Sequence, residues 1–116
     1  MTNLASYVEE NRSYLDDNSL IVLEHLTEAQ FVVLKAVTKE MGNADVGIDN
    51  YPVKSRETLA DFDAARANHW AERGSREASE IEGHQVVFYN RFRPLKGQQR
   101  RDMAVVQFDD FTVSLT

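Results

Sequence analysis

The stretch QVVFYNRFRPLKGQQRRDMAVVQFDDFTVSLT, Gln85 to Thr116, decides the fold class, because its periodicity, turn chemistry and charge agree. Val86, Val87, Phe88 and Tyr89 are β-branched or aromatic, the types that suit a pleated and partly buried surface, and the run continues through Arg93. Val86, Phe88, Asn90 and Phe92 then share one face, and Val87, Tyr89, Arg91 and Arg93 the other. Pro94 ends the strand by removing a ladder donor, and Gly97 allows a turn. A partner strand is predicted from Asp102 to Phe108. Asp109 and Asp110 make a second turn, after which Phe111, Val113 and Leu115 alternate with Thr112, Ser114 and Thr116, the pattern of a strand with one wet face. The stretch reads as a three-stranded antiparallel meander.

The first turn of that meander is basic. Between Gly83 and Arg101 lie Arg91, Arg93, Lys96, Arg100 and Arg101 and no acid, whereas residues 1–82 carry eight Lys/Arg against sixteen Asp/Glu. A charged turn serves solubility and blocks edge pairing. A cluster without interspersed acids, rich in arginine and flanked by Tyr89 and Phe92, also suits a finger that contacts phosphate or an acidic protein surface.

Working outward, 116 residues fit one domain, which buries somewhat over ~60% of its unfolded surface. The apolar fraction of 42% and charged fraction of 28% are those of a globular chain. A net charge of −6 argues against coating nucleic acid by bulk electrostatics, so any such contact is local. The absence of cysteine excludes disulfides, thiolate chemistry and Cys-ligated zinc. Acids at Glu9 and Glu10 and the lack of a basic-then-apolar start are unlike a secretory signal, and the apolar runs Leu20 to Leu23 and Phe31 to Leu34 are too short to span a bilayer. A cytoplasmic protein with no membrane partner is expected.

Before the meander, Leu4, Tyr7, Val8, Tyr14 and Leu15 recur at helical spacing and predict a helix from Asn3 to Asp16. Asp17, Asn18 or Ser19 is suited to cap a second, short helix through Leu26. Thr27-Glu28-Ala29-Gln30 has the form of a capping box, and Phe31, Leu34, Val37 and Met41 line the helix that follows until Gly42. Gly42 to Lys54 is a turn-rich connection with a candidate short strand at Val46 to Ile48. Its Asp45, Asp49 and Asn50 lack the spacing of a calcium loop, and no metal site is expected. Ser55 is the expected cap of a fourth helix ending at Gly74. Arg66, Trp70 and Arg73 share one line of it, a second candidate interface, since Trp and Arg dominate interface hot spots. Ser75 to Glu82 is expected to be a short exposed helix or a linker.

The chain has no P-loop, dinucleotide-binding glycine pattern, H-E-x-x-H pair or G-x-S-x-G elbow. No cofactor is implied, and an enzyme is not the expectation. The one enzymatic alternative is a metal-independent nuclease, with His84 as the acid–base group and the hairpin arginines as phosphate stabilisers.

Leu26-Thr27-Glu28-Ala29-Gln30-Phe31-Val32-Val33-Leu34 resembles the opening of the recognition domain of MarR-type winged-helix regulators. That resemblance implies a DNA-binding regulator with the basic hairpin as its wing. It covers nine residues, and the long connection after Met41 and the third strand depart from that pattern.

These readings lead to an α+β domain in which three to four N-terminal helices pack on a C-terminal three-stranded sheet. The expected function is that of a small non-enzymatic binding protein, of the accessory or inhibitor type encoded by phages and mobile elements. It would engage a nucleic-acid-handling protein complex, or its nucleic acid, through the basic hairpin and an acidic helical surface. Val87 and Tyr89, opposite Phe88, would leave an apolar sheet face for a second copy, making a homodimer.

Overall fold

A computed structural model of the chain describes residues 3–41, 52–93 and 98–116, with side chains described for all of these except 92, 93 and 98–100. The order of elements is α1 (Leu4–Asn11), α2 (Asp17–Glu24), α3 (Glu28–Glu40), β1 (Pro52–Ser55), α4 (Leu59–Arg73), β2 (Gly74–Ile81), β3 (His84–Arg93), β4 (Gln98–Gln107) and β5 (Thr112–Leu115). The strands form one antiparallel sheet in the order β1-β5-β4-β3-β2.

Each helix begins where a short polar side chain satisfies an orphan amide. Asn3, Asp16, Thr27 and Thr58 accept from the amides of Ser6, Ser19, Gln30 and Asp61. The amide of Ser19 also holds the Asp16 carboxyl below its usual pKa. The capping box predicted at Thr27 and Gln30 is present, with both reciprocal bonds formed. Other predicted boundaries move. Asp16, not Asp17, Asn18 or Ser19, caps α2, which ends at Glu24 rather than Leu26, and β4 starts at Gln98 rather than Asp102. Thr58, not Ser55, caps α4, because Ser55 is the last residue of β1. The first helix stops at Asn11 rather than Asp16, and Tyr14 is 84% exposed.

The sheet has five strands, not three. Ser75 to Glu82 is neither a helix nor a linker. It forms β2, which pairs residue by residue with β3 from Gly74↔Arg91 to Ile81↔His84. β1 pairs with β5, so the final strand of the chain is not an edge. Thr112 and Ser114, expected on a wet face, are buried, and their hydroxyls face the carbonyls of Ser55 and Val53 at 3.5 Å. The candidate strand at Val46 to Ile48 and the acids Asp45 and Asp49 lie outside the described residues, as does the turn Pro94 to Gly97.

The sheet is covered on both faces, which produces two cores. On one side α1 to α3 place Tyr7, Val22, Leu23, Phe31, Leu34 and Val37 against Val86, Phe88, Ala104, Val106, Val113 and Leu115. On the other, α4 places Leu59, Phe62 and Trp70 against Val87, Tyr89 and Val105. The alternation read from residues 86–89 is therefore correct, but α4 occupies the face proposed for a second copy. α3 and α4 thus lie on opposite faces of one sheet.

The crossing from α4 into β2 depends on Gly74. A Cβ there would lie 1.7 Å from the carbonyl oxygen of Asn90 on β3. Only a glycine lets the two backbones approach this closely. Gly74→Ala is expected to lower unfolding free energy by about 3 kcal/mol, as for overpacking against a rigid backbone, measured by urea denaturation.

Candidate functional site

The basic residues gather where the β3–β4 ribbon leaves the sheet. β2 accompanies β3 only as far as Arg91, and β5 accompanies β4 only to Ala104. The ribbon continues through Arg91↔Arg100, Phe92↔Gln99 and Arg93↔Gln98. Beyond Arg91 this ribbon has two described pairs with no third strand, about 7 Å past the end of β2. Its register sets Arg91 directly across from Arg100, and like charges in that relation cost stability. Lys96 lies outside the described residues.

A bulge lies at the base of the extension. Tyr89 pairs with Met103 but Asn90 with Arg101, leaving Asp102 as the extra residue. Bulges increase twist and re-aim the strand that follows. The exposed Arg91 takes Asp102 as partner, with Nε to Oδ2 at 2.8 Å. Asn90 is 2% exposed, and its Oδ1 has no hydrogen-bond partner among the described residues. A buried amide oxygen left so costs about 1–3 kcal/mol.

Arg101 differs from its neighbours. Its guanidinium donates to the carbonyl of Glu40 at the end of α3, pairs with Glu77 of β2 at 3.1 Å, and lies 4.4 Å from the ring centre of Phe88. A cation on the last carbonyls of a helix satisfies orphan acceptors and opposes the helix dipole. Arg101 thus ties α3 to the sheet, while Arg91 lies at the ribbon's base. Arg101→Gln is expected to cost about 1–2 kcal/mol of stability, read from thermal unfolding.

Tyr89 does not lie beside the cations at the surface. It is fully buried under α4, its ring 5.3 Å from that of Trp70, and its hydroxyl donates to Asp63 at 2.8 Å. Asp63 is also met by two guanidinium nitrogens of Arg76, Nε at 3.0 Å and Nη2 at 2.6 Å. Burial, then the bond to Asp63, raises the Tyr89 pKa above its ordinary 10.0. Trp70, at 6% exposure, belongs to the same core, which removes it as an anchor for a partner's pocket. Its neighbours are engaged locally. Arg66 lies 3.4 Å over the Phe62 ring and donates to the Phe62 carbonyl, and Arg73 approaches His69 and Glu72.

His84 is separated from the arginines. It starts β3, seven residues from Arg91 or about 23 Å along the strand, packs edge-on to Phe108, and has Nδ1 3.2 Å from the Gln107 carbonyl oxygen. The structure does not bring together the acid–base group and phosphate stabilisers of the nuclease alternative. Among the described residues no cluster of three or more His, Asp or Glu is arranged to hold a metal. Among them, too, no helix is long and apolar enough to cross a membrane.

Comparison with protein families, curated proteins and solved structures finds no match to this chain.

Sequence reasoning missed the node formed by Asp63, Arg76 and Tyr89, because its members come from three elements. The spacing of Asp63 from Phe62 and Arg66 gives no sign that it faces a sheet. Tyr89→Phe is expected to lower stability at neutral pH by about 1–3 kcal/mol, since Asp63 loses a donor. Above pH 10 an unfolded tyrosine releases its proton while Tyr89 keeps its own. The unfolded state then binds fewer protons, and stability falls with rising pH by up to about 1.4 kcal/mol per unit. Denaturant titrations from pH 8 to 12 should show that extra slope in the wild type and not in Tyr89→Phe.

Proposed function

We propose that the protein is a small non-enzymatic binding protein, of the accessory or inhibitor type carried by phages and mobile elements. It engages a protein complex that handles nucleic acid, or that complex's nucleic acid, through the basic end of the β3–β4 ribbon. The observation that carries this reading is the ribbon's continuation past β2 and β5, with Arg91 at its base and Arg93 and Arg100 on its strands; Lys96 falls between them in the sequence. The cross-strand Arg91–Arg100 pairing costs stability at that point. An anionic partner offsets such a cost, and a solubility device does not require it.

The helical layer supplies charge of the opposite sign. Glu9, Glu10, Asp16, Asp17, Glu24, Glu28 and Glu40 are all exposed. An acidic layer on one side of a sheet and a basic ribbon at one end suit a partner that itself presents both signs, as a nucleic-acid-handling protein does.

The triple variant Arg93→Glu, Lys96→Glu, Arg100→Glu tests this and spares Arg101, whose loss would disturb the fold. Capture of a partner from source-cell lysate, with and without nuclease, is expected to give a nuclease-resistant protein whose affinity for the variant falls at least ~100-fold. Recovery of nucleic acid alone, lost in the variant and weakened steeply by salt, would replace this reading with a DNA-binding regulator. Equal capture by both forms would overturn the role of the ribbon.

A further inference from the structure

Strand β2 is an edge, with β3 on one side only. It is eight residues long, and Arg76 through Glu80 are exposed. We propose that this edge joins two copies of the chain. The second copy adds its own β2 antiparallel, about a two-fold axis through Ala78, so that two five-stranded sheets become one.

The turn between β2 and β3 determines which backbone groups are available. Glu82 and Gly83 both have positive φ, 52° and 79°, as in a two-residue type I′ hairpin. The flanking residues Ile81 and His84 then exchange both hydrogen bonds, and bonded pairs recur at every second position. Ile81, Ser79, Glu77 and Ser75 turn their N–H and C=O groups toward β3. Arg76, Ala78 and Glu80 turn theirs outward, where nothing in the described chain pairs with them.

Charge selects the register. An axis through Arg76, Glu77 or Glu80 would oppose that residue to its own copy, and like charges directly opposite are unfavourable. An axis through Ser79 brings no opposite charges together within β2, since Arg76 would then face Glu82 of the turn. An axis through Ala78 sets Arg76 of each copy against Glu80 of the other, with Ala78 opposite Ala78 and Glu77 opposite Ser79. All the outward backbone groups from Arg76 to Glu80 are then matched. Glu80 joins the existing Asp63–Arg76 ion pair, extending it across the axis.

Edge strands are usually guarded by side chains that hinder pairing. In β2 two of the three charges are directed back into their own subunit, Arg76 to Asp63 and Glu77 to Arg101. The opposite edge is a poorer template, since β1 has four residues and begins with Pro52. Beside β2 a groove of about 560 Å³ is bordered by Leu59, Asp63, Ala78 and Glu80.

Sedimentation equilibrium and light scattering on the full chain, up to about 1 mM, provide the test. The expected result is a species of twice the 13.3 kDa chain mass. Ala78→Pro deletes an outward amide at the axis without removing a bond to β3, and should give a monomer with unchanged circular dichroism. Should that variant fail to fold, Glu80→Arg, at an exposed position, opposes Arg76 twice per dimer and should weaken association roughly tenfold or more. A monomer throughout the concentration range would overturn the proposal. A dimer indifferent to Glu80→Arg would also overturn it, placing the contact on another surface.

Discussion

Strands β3 and β4 are buried on both faces. Val86, Phe88, Ala104 and Val106 face α1 to α3, while Val87, Tyr89 and Val105 face α4. A ribbon apolar on both sides cannot leave either side in water, because each exposed large side chain would forgo about 1.5–3 kcal/mol of burial. Helices are therefore required on both faces, and the rest of the architecture follows. α4 crosses beneath the sheet, Gly74 allows its tight return, and β2 and β5 cover the ribbon's flanks.

α4 is attached by more than apolar contact. Gln107 accepts from the amide of Leu59 at 2.7 Å and fixes the helix start against β4. In its second turn Asp63 receives Tyr89 and Arg76, so one carboxylate joins helix, the inner strand β3 and the edge strand β2. Because Tyr89 is buried, its hydroxyl needs an acceptor, and a charged one makes a stronger bond than a neutral one. On the opposite face Arg101 performs the corresponding task for α3. Both attachments use long side chains from the strands to reach helices, and both involve residues that a charge map alone would assign to the surface.

The candidate interface and the stabilising network are thus interleaved within a few residues. Along β3 and β4, Tyr89 and Arg101 serve the fold. Arg91 is exposed at the ribbon's base, and Arg93 and Arg100 follow on strands that have left their neighbours. The bulge at Asp102 marks the change from one role to the other. It breaks the register after the last core pair, Tyr89 with Met103, and lets the ribbon twist independently of the sheet.

The sequence by itself determined the α+β class, the capped start of α3 at Thr27 with Gln30, the alternation through Val86 to Tyr89, and the turn at Asp109 and Asp110. Each rests on residues within a few positions of one another, so periodicity and capping report it directly. Tertiary structure decided the five-stranded sheet, the two-sided core and the roles of Tyr89, Trp70 and Arg101. β2 escaped detection because an edge strand reading GSREASEI buries little, and neither of its faces carries the apolar alternation by which a strand is recognised. Trp70 read as exposed because its helix is flanked by arginines, and only the placement of α4 against Tyr89 shows which side of that helix is inward. Cross-sheet pairing and the choice of face are set by contacts between segments distant in the chain, and no local pattern records them.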